Sequence, residues 1–251
     1  MERIVIKIGS SSITNHNGLE REQVLNIAGQ IAVEMQSGRE IVIVSSGAIA
    51  TGKKSITDFS DRVVDKQASA IFGQPAMAWG WIEAFNYFGI QAGASLYKDD
   101  DLVNIKQPLL RALKEGIVIV NGNDAVYDEK SEAQIISRDN DILASFIARA
   151  INASKLIMLT GSDGVLDNQG ELIRTIDTID DLGRIGIFGK TKEGTGGMLS
   201  KVSGARDFIT AANKVAYIAN ARMENVIVRI LNGESVGTRV TLPSQSFFIF
   251  G

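Results

Sequence analysis

The sequence contains no cysteine and only one histidine. Without cysteine, disulfide bonds and thiolate metal sites are excluded. The single histidine, His16, lies in the polar segment at residues 14–18, where a solvent-exposed turn residue is expected. Serine–histidine–aspartate catalysis and histidine metal clusters are therefore disfavoured. Any chemistry must use lysine, aspartate, asparagine, serine and backbone amides.

Excess charge of one sign and long apolar runs are also lacking. The net charge of the 251 residues is only −3, so nothing indicates the clustered basic face of a nucleic-acid-binding protein. The longest apolar region, at residues 68–88, is interrupted by Gln74, Pro75 and Glu83, and it falls short of the ~18 uninterrupted apolar residues of a membrane span. The first residues lack the apolar core of a signal peptide. We therefore predict a cytoplasmic globular protein with no nucleic-acid or membrane partner.

Short runs of valine, isoleucine and leucine alternate with longer segments of helical periodicity. The near-continuous apolar runs predict strands buried on both faces, at residues 3–8, 41–45, 118–121 and 155–160. Apolar spacings of three and four predict helices at residues 21–35, 62–88, 139–150 and 198–213. Further strands are predicted at residues 215–218, 226–231 and 237–242, and loops with short strands at residues 164–197. Alternation of this kind predicts an α/β fold with a mostly parallel sheet and helices on both sides.

No change of composition marks a linker between domains. The sequence therefore predicts one domain, residues 1–251, with two lobes that divide near residue 150. Within the long helix, Trp79, Trp81 and Phe85 are predicted to lie in the core rather than on an oligomer surface.

Small or polar residues follow each of the four predicted buried strands. They are KIGSSS at residues 7–12, SSGA at 45–48, NGND at 121–124 and TGSD at 160–163. In an open parallel sheet, ligands bind outside the carboxyl ends of the strands. Four such turns at one sheet edge predict a cleft lined with amide donors, which suits phosphate and carboxylate groups.

Two familiar nucleotide-binding motifs are only partly matched. Residues 47–53 resemble most of a P-loop, but Lys54 stands where serine or threonine must bind Mg²⁺. Residues 194–197 begin like a dinucleotide fingerprint, but Leu199 occupies the third glycine position and the segment follows a loop rather than a strand. Neither site is predicted.

Three other features indicate phosphate chemistry. The glycine-rich segment at residues 194–201 leads into a helix, where free amides and Lys201 would favour a phosphate. Lys7 lies in a strand of isoleucine and valine, where lysine is rarely buried without a partner. It is either a lysine on a solvent-exposed face or a functional residue. Asp139 and Asp141 flank Asn140 at a helix start, which is more than one helix cap requires.

These motifs, in their order and spacing, resemble glutamate 5-kinase of the amino acid kinase superfamily over nearly the whole chain. The matching segments are KIGSS at residues 7–11, IVIVSSGAIA at 41–50, KQ at 66–67, GQ at 73–74, NGNDAV at 121–126, DND at 139–141, GTGGM at 194–198 with Lys201, and SVGT at 235–238. Many members of the family carry an additional C-terminal PUA domain, and we expect this protein to be a short form without it.

The resemblance implies a three-layer α/β/α sandwich and transfer of the ATP γ-phosphoryl group to the γ-carboxylate of glutamate, the first step of proline biosynthesis. It implies that the catalytic residues are Lys7, Lys201 and Asp141. It implies amino-acid contacts at Ser46, Gly47, Ala48, Asp124 and Asn140. It implies nucleotide or phosphate contacts at Lys7, Gly9, Ser10, Thr160, Gly161, Thr195, Gly196, Gly197, Met198 and Lys201, with the Gly9 and Ser10 amides holding the transferred group. The resemblance implies Mg²⁺ carried by ATP rather than by protein ligands. We also expect a small-molecule substrate and a homo-oligomer.

The composition suits this reaction, because a carboxylate acceptor with a pKa of ~4.3 is ionised at neutral pH and needs no general base. Three residues depart from the family pattern. Gly122 replaces glutamate and Arg138 replaces glycine beside the inferred amino-acid pocket, so a different carboxylate or a phosphonate acceptor is an alternative. Gly161 replaces aspartate beside the inferred adenosine contacts. A non-catalytic amino-acid or nucleotide sensor is a second alternative, against which retention of both lysines and the aspartate argues.

Overall fold

The computed structural model describes residues 1–126, 139–177, 185, 197–210 and 213–242, with the side chains of residues 99 and 100 left undescribed. The described chain contains an eight-stranded sheet and a two-stranded hairpin, β2 (Thr14–Asn15) with β3 (Gly18–Leu19). The strands of the main sheet are β1 (Arg3–Ile8), β4 (Glu40–Ser45), β5 (Ala92–Tyr97), β6 (Ile117–Gly122), β7 (Lys155–Thr160), β8 (Thr175–Ile176), β9 (Val215–Asn220) and β10 (Thr238–Val240). Their spatial order is β5-β6-β4-β1-β7-β9-β10-β8. All pairs are parallel except β9 with β10.

Helices connect the parallel strands and cover both faces of the sheet. They are α1 (Ser10–Ile13), α2 (Arg21–Gln36), α3 (Ala48–Gly52), α4 (Val63–Tyr87), α5 (Lys106–Ala112), α6 (Asn140–Ala150), α7 (Met198–Phe208) and α8 (Val226–Leu231). Short 3₁₀ segments lie at Lys53–Ser55, Asp99–Asn104 and Asp124–Val126.

Alternate residues of β1 belong to the two hydrophobic cores. Ile4, Ile6 and Ile8 are fully buried in a core formed with α2, α4 and α8. Val5 lies in the opposite core, formed with α5, α6 and α7. Because side chains alternate along a strand, Lys7 projects on the same side as Val5, towards α6 and α7. The predicted three-layer arrangement is confirmed. The alternation of side chains along β1 determines which helices Lys7 can contact.

The secondary-structure prediction is wrong at residues 226–231, and it omits strand β5. Residues 226–231 form helix α8 rather than a strand, with Val226, Ile227 and Ile230 buried at helical spacing. The Gln30 side-chain oxygen on α2 accepts the Ile227 N–H at 3.0 Å, which satisfies a donor of the first turn. A short β-branched run cannot be distinguished from a buried helix by periodicity alone. Strand β5 was not predicted because it is a partly exposed edge strand that contains Gly93.

The aromatic residues of α4 divide between the core and the surface. Trp81 and Phe85 are fully buried, as predicted, but Trp79 is 58% exposed, so its core assignment is wrong. Ile71 and Phe72 on the same helix are also exposed. Among the described helices, including the 25-residue α4, none is long and apolar enough to cross a membrane.

Helices α3 and α4 cross with their backbones in contact. A Cβ atom on Gly73 would lie 1.8 Å from the Ala48 carbonyl oxygen, and one on Gly52 would lie 1.9 Å from the Ser69 carbonyl oxygen. Both clashes are with backbone atoms, so neither can be relieved by a side-chain rotation. Glycine is therefore required at both positions, and the crossing fixes α3 at the carboxyl end of β4.

Replacing Gly73 with alanine is expected to lower the free energy of unfolding by about 2–3 kcal/mol, because the helices must separate to admit the methyl group. Urea unfolding measures the change. The matched control is Gly93→Ala, because a Cβ there would come within 4 Å of no residue that the structure describes. Equal stability of the two variants would contradict the close crossing.

Candidate active site

Two lysines share one buried aspartate at the carboxyl end of β1. The Lys7 Nζ lies 2.7 Å from Asp141 Oδ1, and the Lys201 Nζ lies 3.1 Å from Asp141 Oδ2. Burial would raise the pKa of Asp141, but the charges and hydrogen bonds of the two lysines outweigh it and hold that pKa below its ordinary value. Two ammonium groups on one carboxylate leave a net positive charge, which suits a phosphoryl group.

Three separate elements bring these side chains together. Lys7 is the second-last residue of β1, Asp141 lies in the first turn of α6, and Lys201 lies one turn into α7. Asp139 caps α6, since its Oδ1 accepts the Asp141 N–H at 2.8 Å. The two lysines predicted to be catalytic thus both contact the predicted catalytic aspartate, although the three residues are distant in the sequence.

A chain of hydrogen-bonded side chains extends from this cluster towards α4. The Asn140 Nδ2 donates to Ser46 Oγ at 3.0 Å and to Asn121 Oδ1 at 2.9 Å. The Asn121 Nδ2 in turn donates to Gln74 Oε1 at 2.8 Å and lies 3.4 Å from Asp124 Oδ2. Three of the predicted amino-acid contacts, Ser46, Asp124 and Asn140, are therefore held in one network.

Asp124 lines a cavity of about 270 Å³ between α4 and β5. Gln74 and Asn123 are the other polar residues of its wall, and the rest is apolar. Burial raises the pKa of Asp124 to about 6, although the hydrogen bond from Asn121 opposes the shift. A carboxylate held in such surroundings favours a cationic partner, such as the ammonium group of an amino acid.

The turn between β4 and α3 shapes the other side of the site. Gly47 has a φ of +112°, which favours glycine, and a Cβ there would lie 3.2 Å from Thr14 Cγ2. The Ser46 N–H donates to the Ile8 carbonyl at 3.0 Å, so this turn is tied to β1. Ala48 is buried as the first residue of α3. These contacts fix Ser46 beside Asn140.

The amide role implied for Gly9 requires a correction. The Gly9 N–H donates to the Leu159 carbonyl at 3.1 Å, so it is already engaged between β1 and β7 and is not available to a phosphoryl group. A Cβ on Gly9 would also lie 3.3 Å from that carbonyl, which explains the small residue. Ser10 begins α1 directly after this contact. Its role towards phosphate stays a prediction.

Four of the predicted nucleotide contacts, Thr160, Gly161, Gly197 and Met198, lie at the end of β7 or the start of α7. Thr160 ends β7, and its carbonyl accepts the Ala221 N–H at 2.8 Å. Among the described residues, a Cβ on Gly161 would come within 4 Å of Ser11 Oγ alone, at 3.7 Å, so the backbone there does not require glycine for space. Gly197 and Met198 begin α7. Thr195 and Gly196, with Arg138, lie outside the described residues.

Several contacts that build the site were not predicted, although the residues that make them lie in predicted motifs. Gln74 and Asn121 connect Asp124 to Asn140. A polar residue within an apolar helix, and another at the end of a buried strand, were the available signals. Ser200 lies in the predicted glycine-rich segment, but its contact with Asp139 was not predicted, since it joins two helices that are far apart in the sequence.

Comparison with known proteins places these features in a family. Residues 2–220 match the model of the family described as "Amino acid kinase family". A glutamate 5-kinase of Caldanaerobacter subterraneus subsp. tengcongensis is 35% identical over 94% of this chain and 67% of its own length. A glutamate 5-kinase of Dehalococcoides mccartyi is also 35% identical, over 95% of this chain and 68% of its own length.

Two solved structures share the fold at low sequence identity. Giardia carbamate kinase superimposes with a TM-score of 0.68 at 18% identity, covering 96% of this chain and 99% of that one. Isopentenyl phosphate kinase of T. acidophilum gives a TM-score of 0.64 at 17% identity, covering 94% of this chain and 99% of that one. The arrangement of strands and helices described above is thus common to these kinases.

Proposed function

The chain belongs to the amino acid kinase family, and from that premise we propose that it transfers the γ-phosphoryl group of ATP to the γ-carboxylate of L-glutamate. The products are glutamyl 5-phosphate and ADP, and the reaction is the first step of proline biosynthesis. The observation that carries the proposal is the cluster of Lys7 and Lys201 on Asp141, next to a network that contains the carboxylate of Asp124.

The reaction joins two anions, and the lysines address that difficulty. An oxygen of the γ-carboxylate attacks the γ-phosphorus of ATP, while the bond from that phosphorus to the bridging oxygen breaks and ADP leaves with the electron pair. Since the acceptor is already ionised, no side chain needs to remove a proton. Lys7 and Lys201 stabilise the negative charge on the transferred group, and Asp141 keeps both ammonium groups oriented towards it.

The amino-acid end of glutamate is assigned to the network next to this cluster. Asp124 binds the ammonium group, because this carboxylate is largely buried and has no cationic partner among the described residues. Ser46 and Asn140 lie between Asp124 and the lysines. Glutamate placed along this path has its ammonium group at Asp124 and its γ-carboxylate near Lys7.

The ionisation of Asp124 gives the proposal a pH dependence. The pKa of Asp124 is about 6 in the folded chain, so kcat/KM for glutamate is expected to fall about tenfold per pH unit below that value. Between the pKa of Asp124 and that of the glutamate ammonium group it should be constant. Asp124→Asn is expected to raise KM for glutamate at least about a hundredfold at neutral pH, since it removes one member of a buried charge pair.

Although Asp124→Asn is expected to weaken glutamate binding, it is expected to raise the free energy of unfolding. The folded pKa of Asp124 lies above its unfolded value, so ionisation costs the folded state free energy at neutral pH and none well below the unfolded pKa. Asp124→Asn should therefore be more stable than the wild type by roughly 1 kcal/mol at pH 7.5, after allowance for solvent screening. This gain should vanish near pH 4. Asp61→Asn, at an exposed position, serves as the control, and a loss of stability in Asp124→Asn would contradict the assignment.

Magnesium enters this proposal as part of the substrate MgATP. In the described part of the chain, no three acidic, histidine or cysteine side chains are grouped as metal ligands. Both Asp141 oxygens are engaged by lysines, and both Asp139 oxygens by the Asp141 N–H and the Ser200 hydroxyl. The donor set therefore does not fit a metal held by these residues, and we assign the metal to the nucleotide phosphates.

A different small carboxylate is a second candidate acceptor, favoured by Gly122. This residue is buried at the end of β6 beside Tyr97, and it carries no side chain to contribute to the pocket. The acceptor is identified by incubating the protein with MgATP, hydroxylamine and one acid at a time, and measuring hydroxamate. Turnover with glutamate above all other acids supports the proposal. Turnover with another acid alone would replace the acceptor, and no hydroxamate with any acid would favour a sensor.

We also propose that the protein acts in the cytoplasm as a homo-oligomer. ATP dependence supports the compartment, and the exposed apolar residues Ile71, Phe72 and Trp79 on α4 support self-association. Sedimentation equilibrium at the mass of one chain would contradict the oligomer, and recovery of the protein in a secreted fraction would contradict the compartment.

A further inference from the structure

The first turns of α6 and α7 are joined by a contact that helix capping does not require. The Ser200 hydroxyl donates to Asp139 Oδ2, while the other oxygen of the same carboxylate accepts the Asp141 N–H at 2.8 Å. An N-cap uses only one side-chain oxygen. The second oxygen of Asp139 therefore reaches across to the neighbouring helix.

A close approach between the same helices supports this contact. A Cβ on Gly204, in α7, would lie 2.9 Å from the Asp141 carbonyl oxygen and 3.3 Å from Met158 Cε. Gly204 thus lets α7 lie directly against the first turn of α6. Ser200 and Gly204 are one turn apart on α7, so they face the same side of the helix.

The two contacts surround the ion pair that the proposed reaction needs. Lys201 follows Ser200 in the sequence, and Asp141 follows Asp139 by two residues. A shift of α7 away from α6 would lengthen the 3.1 Å contact between Lys201 Nζ and Asp141 Oδ2. Misplacement by about 1 Å at a reacting group can cost about a hundredfold in rate.

We propose that Ser200 is a positioning residue, which acts through Asp139 to hold Lys201 where it meets Asp141 and the transferred phosphoryl group. The hydroxyl itself takes no part in the chemistry. This inference rests on the proposed function for its effect on rate, but the contact between the helices does not depend on it.

The test compares Ser200→Ala with Ser200→Thr and Ser203→Ala. Ser200→Ala is expected to lower kcat about tenfold or more, with KM for glutamate changed less than twofold, because phosphoryl transfer is impaired and the acceptor site is intact. Ser200→Thr keeps the hydroxyl and should retain most of the activity. Ser203 is exposed on the same helix, so Ser203→Ala should match the wild type.

A double-mutant cycle with Asp139→Asn identifies the partner through which Ser200 acts. If the hydroxyl works through Asp139, the two substitutions together should lower kcat little more than Asp139→Asn alone. Fully additive losses, or a rise in KM for ATP without a change in kcat, would overturn the proposal in favour of direct contact with the nucleotide.

Amide hydrogen exchange provides a readout that does not need turnover. Residues 198–203 should exchange faster in Ser200→Ala than in Ser203→Ala, since the first turn of α7 loses its attachment. Unchanged exchange would overturn the contact itself. If the wild-type chain phosphorylates no acid, but residues 198–203 still exchange faster in Ser200→Ala than in Ser203→Ala, the proposed function is contradicted. The contact between the two helices is then established without it.

Discussion

Lys201→Met is expected to lower kcat by about a thousandfold while the chain stays folded, because a positively charged hydrogen-bond donor to the transferred phosphoryl group is lost. Methionine keeps much of the volume of the lysine stem without its charge. Asp141 would still be paired with Lys7 at 2.7 Å, so the loss of Lys201 leaves no unpartnered carboxylate. Steady-state kinetics with MgATP and glutamate measure the effect, and circular dichroism checks the fold.

Two further variants separate charge from geometry at this position. Lys201→Arg keeps the positive charge but replaces a compact ammonium with a planar guanidinium, so it should recover only part of the rate. Lys114→Met alters an exposed lysine after α5 and should have no effect. A Lys201→Met variant with wild-type kcat would remove Lys201 from the site.

Asp141→Asn is expected to abolish measurable turnover and also to destabilise the chain. The carboxylate is 1% exposed and contacts both lysines, so the amide leaves two neighbouring ammonium groups without their shared counter-charge. Breaking a buried ion pair by removing one member costs about 3 kcal/mol or more. We expect kcat to fall at least about a thousandfold, since neither lysine keeps its orientation.

The stability effect of Asp141→Asn should depend on pH. The folded pKa of Asp141 lies below its ordinary value, so its stabilising contribution is complete above the unfolded pKa and is lost as the pH falls through the folded one. Urea unfolding at a series of pH values should show the gap between wild type and variant narrowing below about pH 4. Asp207→Asn, at an exposed position of α7, is the control. A gap that does not change with pH would contradict the ion pair.

The spacing of apolar residues predicted the layers of the fold, because burial of a strand or helix dictates where its apolar residues occur. The apolar runs of β1, β4, β6 and β7 reflect strands covered on both faces. The same logic failed for residues 226–231, where neighbouring helix α2 rather than local propensity decides the conformation. Edge strand β5 carries little of that signal because much of it is exposed.

The sequence predicted those parts of the candidate site that a single local motif reveals. Lys7, Asp141 and Lys201 each stood out against their local pattern, and their placement at one sheet edge follows from the parallel topology. Contacts between distant segments had no local signature. The crossing at Gly73 and the contact of Ser200 with Asp139 depend on how helices pack, which a sequence of one chain does not display.

The most direct test of the central claim follows an oxygen atom of the acceptor. Glutamate labelled with ¹⁸O in both γ-carboxylate oxygens is incubated with MgATP and the protein, and the acyl phosphate is trapped with hydroxylamine, which attacks the carbonyl carbon. If the γ-carboxylate attacks the γ-phosphorus, the released phosphate carries one ¹⁸O atom, seen by mass spectrometry, and the Lys201→Met variant releases about a thousandfold less of it. Phosphate without label would show that the protein transfers the phosphoryl group to water or to another acceptor, which would contradict the account.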